Sequence, residues 1–403
     1  MRYVRLYRPG GQQVQTGRFY GLSGLEPRLG YYDRGVGCEI DPQGHLVGAR
    51  APVEVLRRPG LRQYGDGWTI EGDGFYVGGV KKGTLSAGEK CVVRFGDKWL
   101  IFPDRMAYDR VKNTFAGFTA PADMRQAVVF GNRVFGIVGG LLRASALGDE
   151  GDWESYQNPD GSPKESGSYR VAVAGGSFTA ITAFLNHVTV FTDEAIYELY
   201  GNRPSNFTLT QCATLGVTGP GQAGCFDKTL WFFARQSLYS YRGGAVRDEL
   251  AALGITFADM QLCCTQRGAY FLADGGVYRF DGALVQLGAG DYTALTTFGG
   301  TVYATAADGA CYALERGARQ GFCVQLRGGL GGGNLQQYEL LYRGSIAAYQ
   351  NGRLLGKKQS RELDRIRCYV QLGGRQPRPL QLRLGPDSAL CGLRYSLHGG
   401  DDR

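Results

Sequence analysis

The chain has 403 residues, 43% of them apolar, and carries 45 Lys and Arg against 37 Asp and Glu, a formal net charge of +8. This balance excludes a wholly disordered chain; the basic pairs Arg57-Arg58, Lys81-Lys82 and Lys357-Lys358 never extend into a run, so they predict a solvated surface and no polymer-binding tail. Glycine reaches 64 residues without a G-x-y period, which excludes collagen, and beside 24 Tyr and 20 Phe it predicts many short strands joined by tight turns.

The opening Met1-Arg2-Tyr3-Val4-Arg5-Leu6-Tyr7 lacks an apolar h-region, and no stretch approaches the roughly 18 apolar residues of a span, so neither an export signal nor a membrane span is expected. Residues 1–70 are irregular and rich in Gly, Arg and Tyr, and read as an extended arm or an atypical first blade. From 71 to 317 one pattern recurs: a strand, a two-residue polar or Gly turn, an aromatic and β-branched strand, another turn, and a third strand. Its copies include Gly96-Asp97 before Lys98-Trp99-Leu100-Ile101-Phe102, Gly131-Asn132 before Val134-Phe135, and Asn186-His187 before Val188-Thr189-Val190-Phe191. Later copies are Asp227-Lys228 before Leu230-Trp231-Phe232-Phe233, Arg267-Gly268 before Ala269-Tyr270-Phe271-Leu272, and Gly299-Gly300 before Thr301-Val302-Tyr303. The copies are spaced roughly 33 to 54 residues apart, the scale of a four-stranded propeller blade. The expected fold is therefore all-β, a six- to seven-bladed β-propeller.

Residues 148–168, polar and containing Gly and Pro, read as an exposed loop insertion, and only 247–253 has a short helical character. The glycine run Gly328-Gly329-Leu330-Gly331-Gly332-Gly333 reads as a linker. Beyond it, 321–403 alternates apolar and polar residues around the turns Asn351-Gly352 and Gly373-Gly374, which predicts a small C-terminal antiparallel β-sandwich.

Chemistry is sparse in the sequence. There are three histidines, His45, His187 and His398, no C-x-x-C and no H-x-x-x-H, so no metal or cofactor is expected. His187 reads as a surface residue of a hairpin turn, and the ten cysteines as reduced, buried thiols. Cys263 and Cys264, neighbours in a strand, should face opposite ways. No nucleophile elbow or P-loop is present, acidic residues fall at turns, and no enzyme is expected. The one enzymatic rival rests on Asp149-Glu150-Gly151-Asp152-Trp153, close to the Asp-box of sialidase-like propellers but one residue short and unrepeated.

The segment 133–209 resembles the bacteriophage tail propellers, the family of tail stabilisation or hub proteins and nozzle proteins of short-tailed phages. The likeness is carried by Arg133-Val134-Phe135-Gly136, Ala144-Ser145-Ala146-Leu147-Gly148-Asp149 with Trp153, Ile181-Thr182-Ala183, Val188-Thr189-Val190-Phe191-Thr192, Ala195-Ile196-Tyr197-Glu198-Leu199-Tyr200-Gly201, Pro204 and Phe207. It implies a structural virion protein, made in the bacterial cytoplasm and built into the tail. As a homo-oligomeric ring, with a hexamer expected, it would join other tail proteins and line the path of non-specifically passing DNA. Tyr31, Tyr32, Trp153, Tyr156 and Arg203 are the candidate interface anchors by residue type. The alternative is a carbohydrate-binding or glycoside-hydrolysing propeller acting at a cell surface.

Overall fold

The computed structural model describes residues 6–8, 11–24, 31–326, 335–371 and 379–398. Its regular elements are strands, with two short 3-10 turns at Pro204–Asn206 and Ala251–Leu253, the second inside the stretch expected to be helical. Four-stranded antiparallel meanders occupy 61–84, 91–117, 127–171, 180–213, 223–248 and 261–289, and we number them blades 1 to 6. Blade 7 is formed by Tyr292–Phe298, Thr301–Ala306 and Ala310–Ala313, with Val53–Arg57 as its fourth strand. From blade 2 to blade 7 neighbouring first strands pack side by side, the first strand of blade 7 meets that of blade 1, and blades 1 and 2 share an apolar cluster, closing a seven-bladed β-propeller.

The six repeated turns read from the sequence are the first turns of blades 2 to 7. Gly131-Asn132 and Gly299-Gly300 hold positive φ at both positions, the two-residue hairpin geometry whose twist matches that of the strands. The middle strands lie between neighbouring blades, so both faces are covered. His187–Phe191 is accordingly buried at every residue, a continuous run instead of an alternation.

Each junction between blades has its own apolar filling. Between blades 1 and 2, Trp99 stacks on Tyr108 at 5.6 Å and Phe75 lies against both. At the closure between blades 7 and 1, Tyr64 packs against Phe298 and Tyr303, and Thr296 Oγ1 donates to the Tyr64 carbonyl at 2.7 Å. Aromatic pairs of this kind contribute about 0.5–1.5 kcal/mol beyond their buried area. Cys263 and Cys264 face opposite junctions, blade 6 to 7 and blade 5 to 6 respectively, as their alternation requires.

A second bond between blades recurs at four of the junctions. Gln63 Nε2 donates to the Lys90 carbonyl at 2.9 Å, Gln126 Nε2 to the Thr179 carbonyl at 2.7 Å, and Gln222 Nε2 to Asp259 at 3.2 Å. The Leu295 amide in turn donates to Gln261 Oε1 at 2.9 Å. In each case a glutamine in or just before a first strand reaches into the next blade.

Two expectations are corrected. The propeller does not begin at residue 71: blade 1 starts at Leu61, and Val53–Arg57 completes blade 7, with Arg57 pairing with Asp308 at 2.7 Å. Residues 321–403 do not form a sandwich of their own. Their strands, Phe322–Leu326, Leu335–Gln350, Arg353–Gln371, Leu380–Leu384 and Ala389–His398, join Gly11–Thr16, Arg34–Val36 and Leu46–Gly48 from the N-terminal region in one curled sheet. Phe19, Tyr32, Cys38 and Leu46 share its core with Tyr338, Leu340, Leu382 and Leu390. The insertion 148–168 is a mostly exposed loop, as expected, and it is anchored: Arg133 is 1% exposed and its guanidinium donates to the carbonyls of Ser145, Glu165 and Gly167, clamping the segment against blade 3. Asn351-Gly352 turns between the two long strands as expected, while Gly328-Gly329, Gly331-Gly332-Gly333 and Gly373-Gly374 lie outside the described residues.

Candidate functional site

The terminal sheet and the propeller are joined at blade 6. The strand Arg34–Val36 pairs antiparallel with Phe322–Leu326 and parallel with the outer strand of blade 6, Val36 opposite Gln286, and the Gly37 amide donates to the Gln286 carbonyl at 3.0 Å. Immediately beside this seam lies a buried ion-pair cluster. Arg279, on the third strand of blade 6, is 3% exposed at its side chain; it meets Glu315 in a short contact, Glu39 at 3.3 Å and Asp281 at 3.0 Å. Glu39 also holds Arg319 at 3.0 Å and Arg267 at 3.4 Å, while Glu315 holds Arg267 at 3.2 Å and accepts from the Tyr270 hydroxyl. Burial by itself would depress the Arg279 guanidinium, but Glu315, Asp281, Tyr270 and Glu39 outweigh it and hold the pKa above its ordinary value. The carboxylates expected only at turns thus include two buried ones, and Glu198 is a third.

Arg267 is half-exposed, and its outer side lines a cleft of about 830 Å³ between blades 5 and 6. The lining comes from four hairpins, at the tips 227–228 and 242–246 of blade 5 and 266–267 and 281–283 of blade 6, which topology places on one rim of the ring, and at the strand ends beside them. Arg242 and Arg247 enter it from blade 5 and have no ion-pair partner among the described residues. Glu249 is held by the Ser240 hydroxyl at 2.5 Å, and Asp281 by Arg279. Trp231 and Phe280 form the wall, edge to face at 5.7 Å, and Phe226, 40% exposed, stands at the lip. Aromatic faces, guanidinium donors and carboxylate acceptors therefore share one opening, the composition of a site for a polar organic ligand.

The five anchors expected from the sequence do not form one patch. Tyr32 is 1% exposed, inside the terminal core, where it accepts from the Cys38 thiol. Trp153 is 4% exposed, packed between blades 2 and 3 with its indole N–H on the Glu150 carbonyl at 2.7 Å. Both are core residues, because a large ring beside small neighbours is covered by the adjoining strand or blade. Tyr31 is half-buried against Tyr20. Tyr156 is half-buried beneath Arg170 and accepts from Arg143. Arg203 is exposed and pairs with Glu165 at 3.6 Å, so Trp153, Tyr156 and Arg203 share the surroundings of 148–168. His187 is also corrected. It is 2% exposed, its Nε2 3.3 Å from Glu198 without hydrogen-bond alignment, and its ring 4.6 Å from that of Tyr200. Of the ten cysteines, Cys323 is exposed and three others are only half-buried, against the expectation of uniform burial.

Among the described residues no group of three His, Cys, Asp or Glu is placed to hold a metal ion, and no helix is long and apolar enough to cross a membrane. No protein-family model matches the chain, and no curated protein matches it in sequence. Among solved structures the chain is similar to BamB from Moraxella catarrhalis, at 13% identity over 69% of this chain and 81% of that one, with a TM-score of 0.42. It is also similar to the extracellular domain of the BT4673 one-component system of B. thetaiotaomicron, at 11% identity and a TM-score of 0.47; 82% of this chain is covered, and 49% of that chain. RRP9 WD40 repeats align at 9% identity over 66% of this chain and 99% of that one, with a TM-score of 0.43. At these identities the likeness is one of fold.

Proposed function

We propose that this chain is a structural component of a phage tail or tail-like particle, a propeller that assembles with copies of itself into a ring, joins neighbouring tail proteins and surrounds the DNA path. The observation that carries the reading is the seam at blade 6. Both ends of the chain enter one sheet, and that sheet is hydrogen-bonded to the propeller and braced by a buried ion-pair cluster. Such a body transmits load without a hinge and leaves its loops free to meet neighbours. The sequence likeness of 133–209 falls on blades 3 and 4 and supports the same reading. Light scattering on the purified full chain tests it: a mass several times that of one chain, with closed rings in electron micrographs, is expected. A monomer that also fails to co-sediment with tail particles overturns it.

A second reading, a carbohydrate-binding or glycoside-hydrolysing propeller, is favoured by a separate observation, the aromatic, arginine and carboxylate side chains converging on the cleft between blades 5 and 6.

A further inference from the structure

We infer that the cleft between blades 5 and 6 binds a carboxylate-bearing oligosaccharide, a step that rests on the second reading above and not on ring assembly. At about 830 Å³ the space falls within the range of small-molecule sites and admits several sugar rings. Two of its cations are uncommitted. Arg242 and Arg247 have no ion-pair partner among the described residues, whereas Arg267 already serves Glu39 and Glu315. A guanidinium is a planar fork that matches a carboxylate in two parallel hydrogen bonds, so a pair of free arginines beside one opening selects for that group.

The acids decide what kind of anion fits. Asp227, on the first turn of blade 5, and Glu249 line the same space, and a polyanion without hydroxyl donors between its charges, such as a DNA strand, would set phosphates against them. A ligand whose rings each carry hydroxyl donors beside the carboxylate satisfies both signs: its carboxylates meet Arg242 and Arg247, and its hydroxyls donate to Asp227 and to the Glu249 oxygen not taken by Ser240. Phe226, exposed at the lip, offers an apolar face to the C–H side of a sugar ring.

Calorimetry on the full chain with tetragalacturonate, maltotetraose and citrate tests the assignment, using wild type and the double variant Arg242→Ala/Arg247→Ala. Tetragalacturonate should bind wild type at least tenfold more tightly than either control, and at least tenfold more tightly than it binds the variant. Both arginines are exposed, so the variant should keep the wild-type melting temperature, which shows that it is folded. Absence of tetragalacturonate binding to wild type, equal binding to the variant, or equal binding of maltotetraose or citrate each overturns the inference. Light scattering on the same samples separates the two readings, since a monomer that binds tetragalacturonate removes the ring and keeps the site.

Discussion

Replacing Arg279 with Met should destabilise the protein more than any other single change at the seam. The side chain is 3% exposed, and its loss leaves Glu39 and Glu315, 8% and 5% exposed, without their most buried partner. Breaking a buried pair by removing one member typically costs about 3–5 kcal/mol, because the remaining charge stays desolvated. Here Glu39 keeps Arg319 and Arg267, and Glu315 keeps Arg267 and Tyr270, so about 3 kcal/mol is the expected size. With a urea slope near 3 kcal/mol per M, that is a midpoint shift of about 1 M at unchanged slope. Arg267→Ala removes a cation that is half-exposed and screened by water, and should cost under about 1 kcal/mol. Adding Glu315→Met to Arg279→Met should recover part of the loss, since one stranded charge goes with it. Equal midpoints for the Arg279 and Arg267 variants, or a double variant worse than the sum of its singles, would refute this account of the cluster.

Three further outcomes are expected. Gln126→Ala deletes the bond to the Thr179 carbonyl between blades 3 and 4 and should lower stability by about 1 kcal/mol, read as a urea midpoint; a neutral result would mean that water replaces the amide. Burial, opposed by Glu198, holds the His187 pKa below its ordinary value, so below about pH 6.5 the unfolded chain takes the proton first and stability falls with pH. The loss of stability between pH 7.5 and 5.5 should therefore be smaller in His187→Gln, and an unchanged difference would assign the effect elsewhere. Arg133→Met frees the three carbonyls that clamp 148–168, so trypsin should cut at Lys164 faster than in wild type, with the remaining blades intact; an unchanged cleavage rate would show that Trp153 and its neighbours hold the segment unaided.

Blades 2 to 7 were legible because most of their first turns hold positive φ, at both positions in blades 3 and 7, and their middle strands are covered on both faces, which leaves apolar runs such as Leu230-Trp231-Phe232-Phe233. Blade 1 was legible only as an arm or an atypical first blade, because its middle strands, Trp68–Glu71 and Gly74–Val77, are short and partly open, so polar residues interrupt them. The closing strand Val53–Arg57 pairs with residues some 250 positions away, and no local pattern names so distant a partner. The bridging glutamines did leave a signal: Gln126-Ala127-Val128-Val129-Phe130 and Gln222-Ala223-Gly224-Cys225-Phe226 repeat the same opening of a first strand. Glu39 left one too, as a lone acid between Cys38 and Ile40. The cleft left none, because its side chains come from four hairpin ends that only the ring brings to one rim.

The buried cluster also answers a problem that the backbone at the seam leaves open. Arg34–Val36 is three residues long, matched to blade 6 at the single pair Val36–Gln286 and to Phe322–Leu326 at three pairs. So short a strand could pair one residue out of step with nearly the same hydrogen bonds, and such a slip would turn its buried face to solvent. Glu39 makes the registers unequal. It lies three residues beyond Val36 and meets Arg279, Arg267 and Arg319 at once, so a shift of one residue, about 3.3 Å, would pull a buried carboxylate from all three. Replacing the cluster by apolar residues could therefore leave stability nearly unchanged while loosening the seam. That outcome would appear as faster amide exchange at Gly37 and Ala49, whose bonds to the Gln286 and Gly37 carbonyls depend on the register, with an unaltered urea midpoint. Unchanged exchange at both amides would instead assign the register to the packing of Tyr32 and Cys38 in the core.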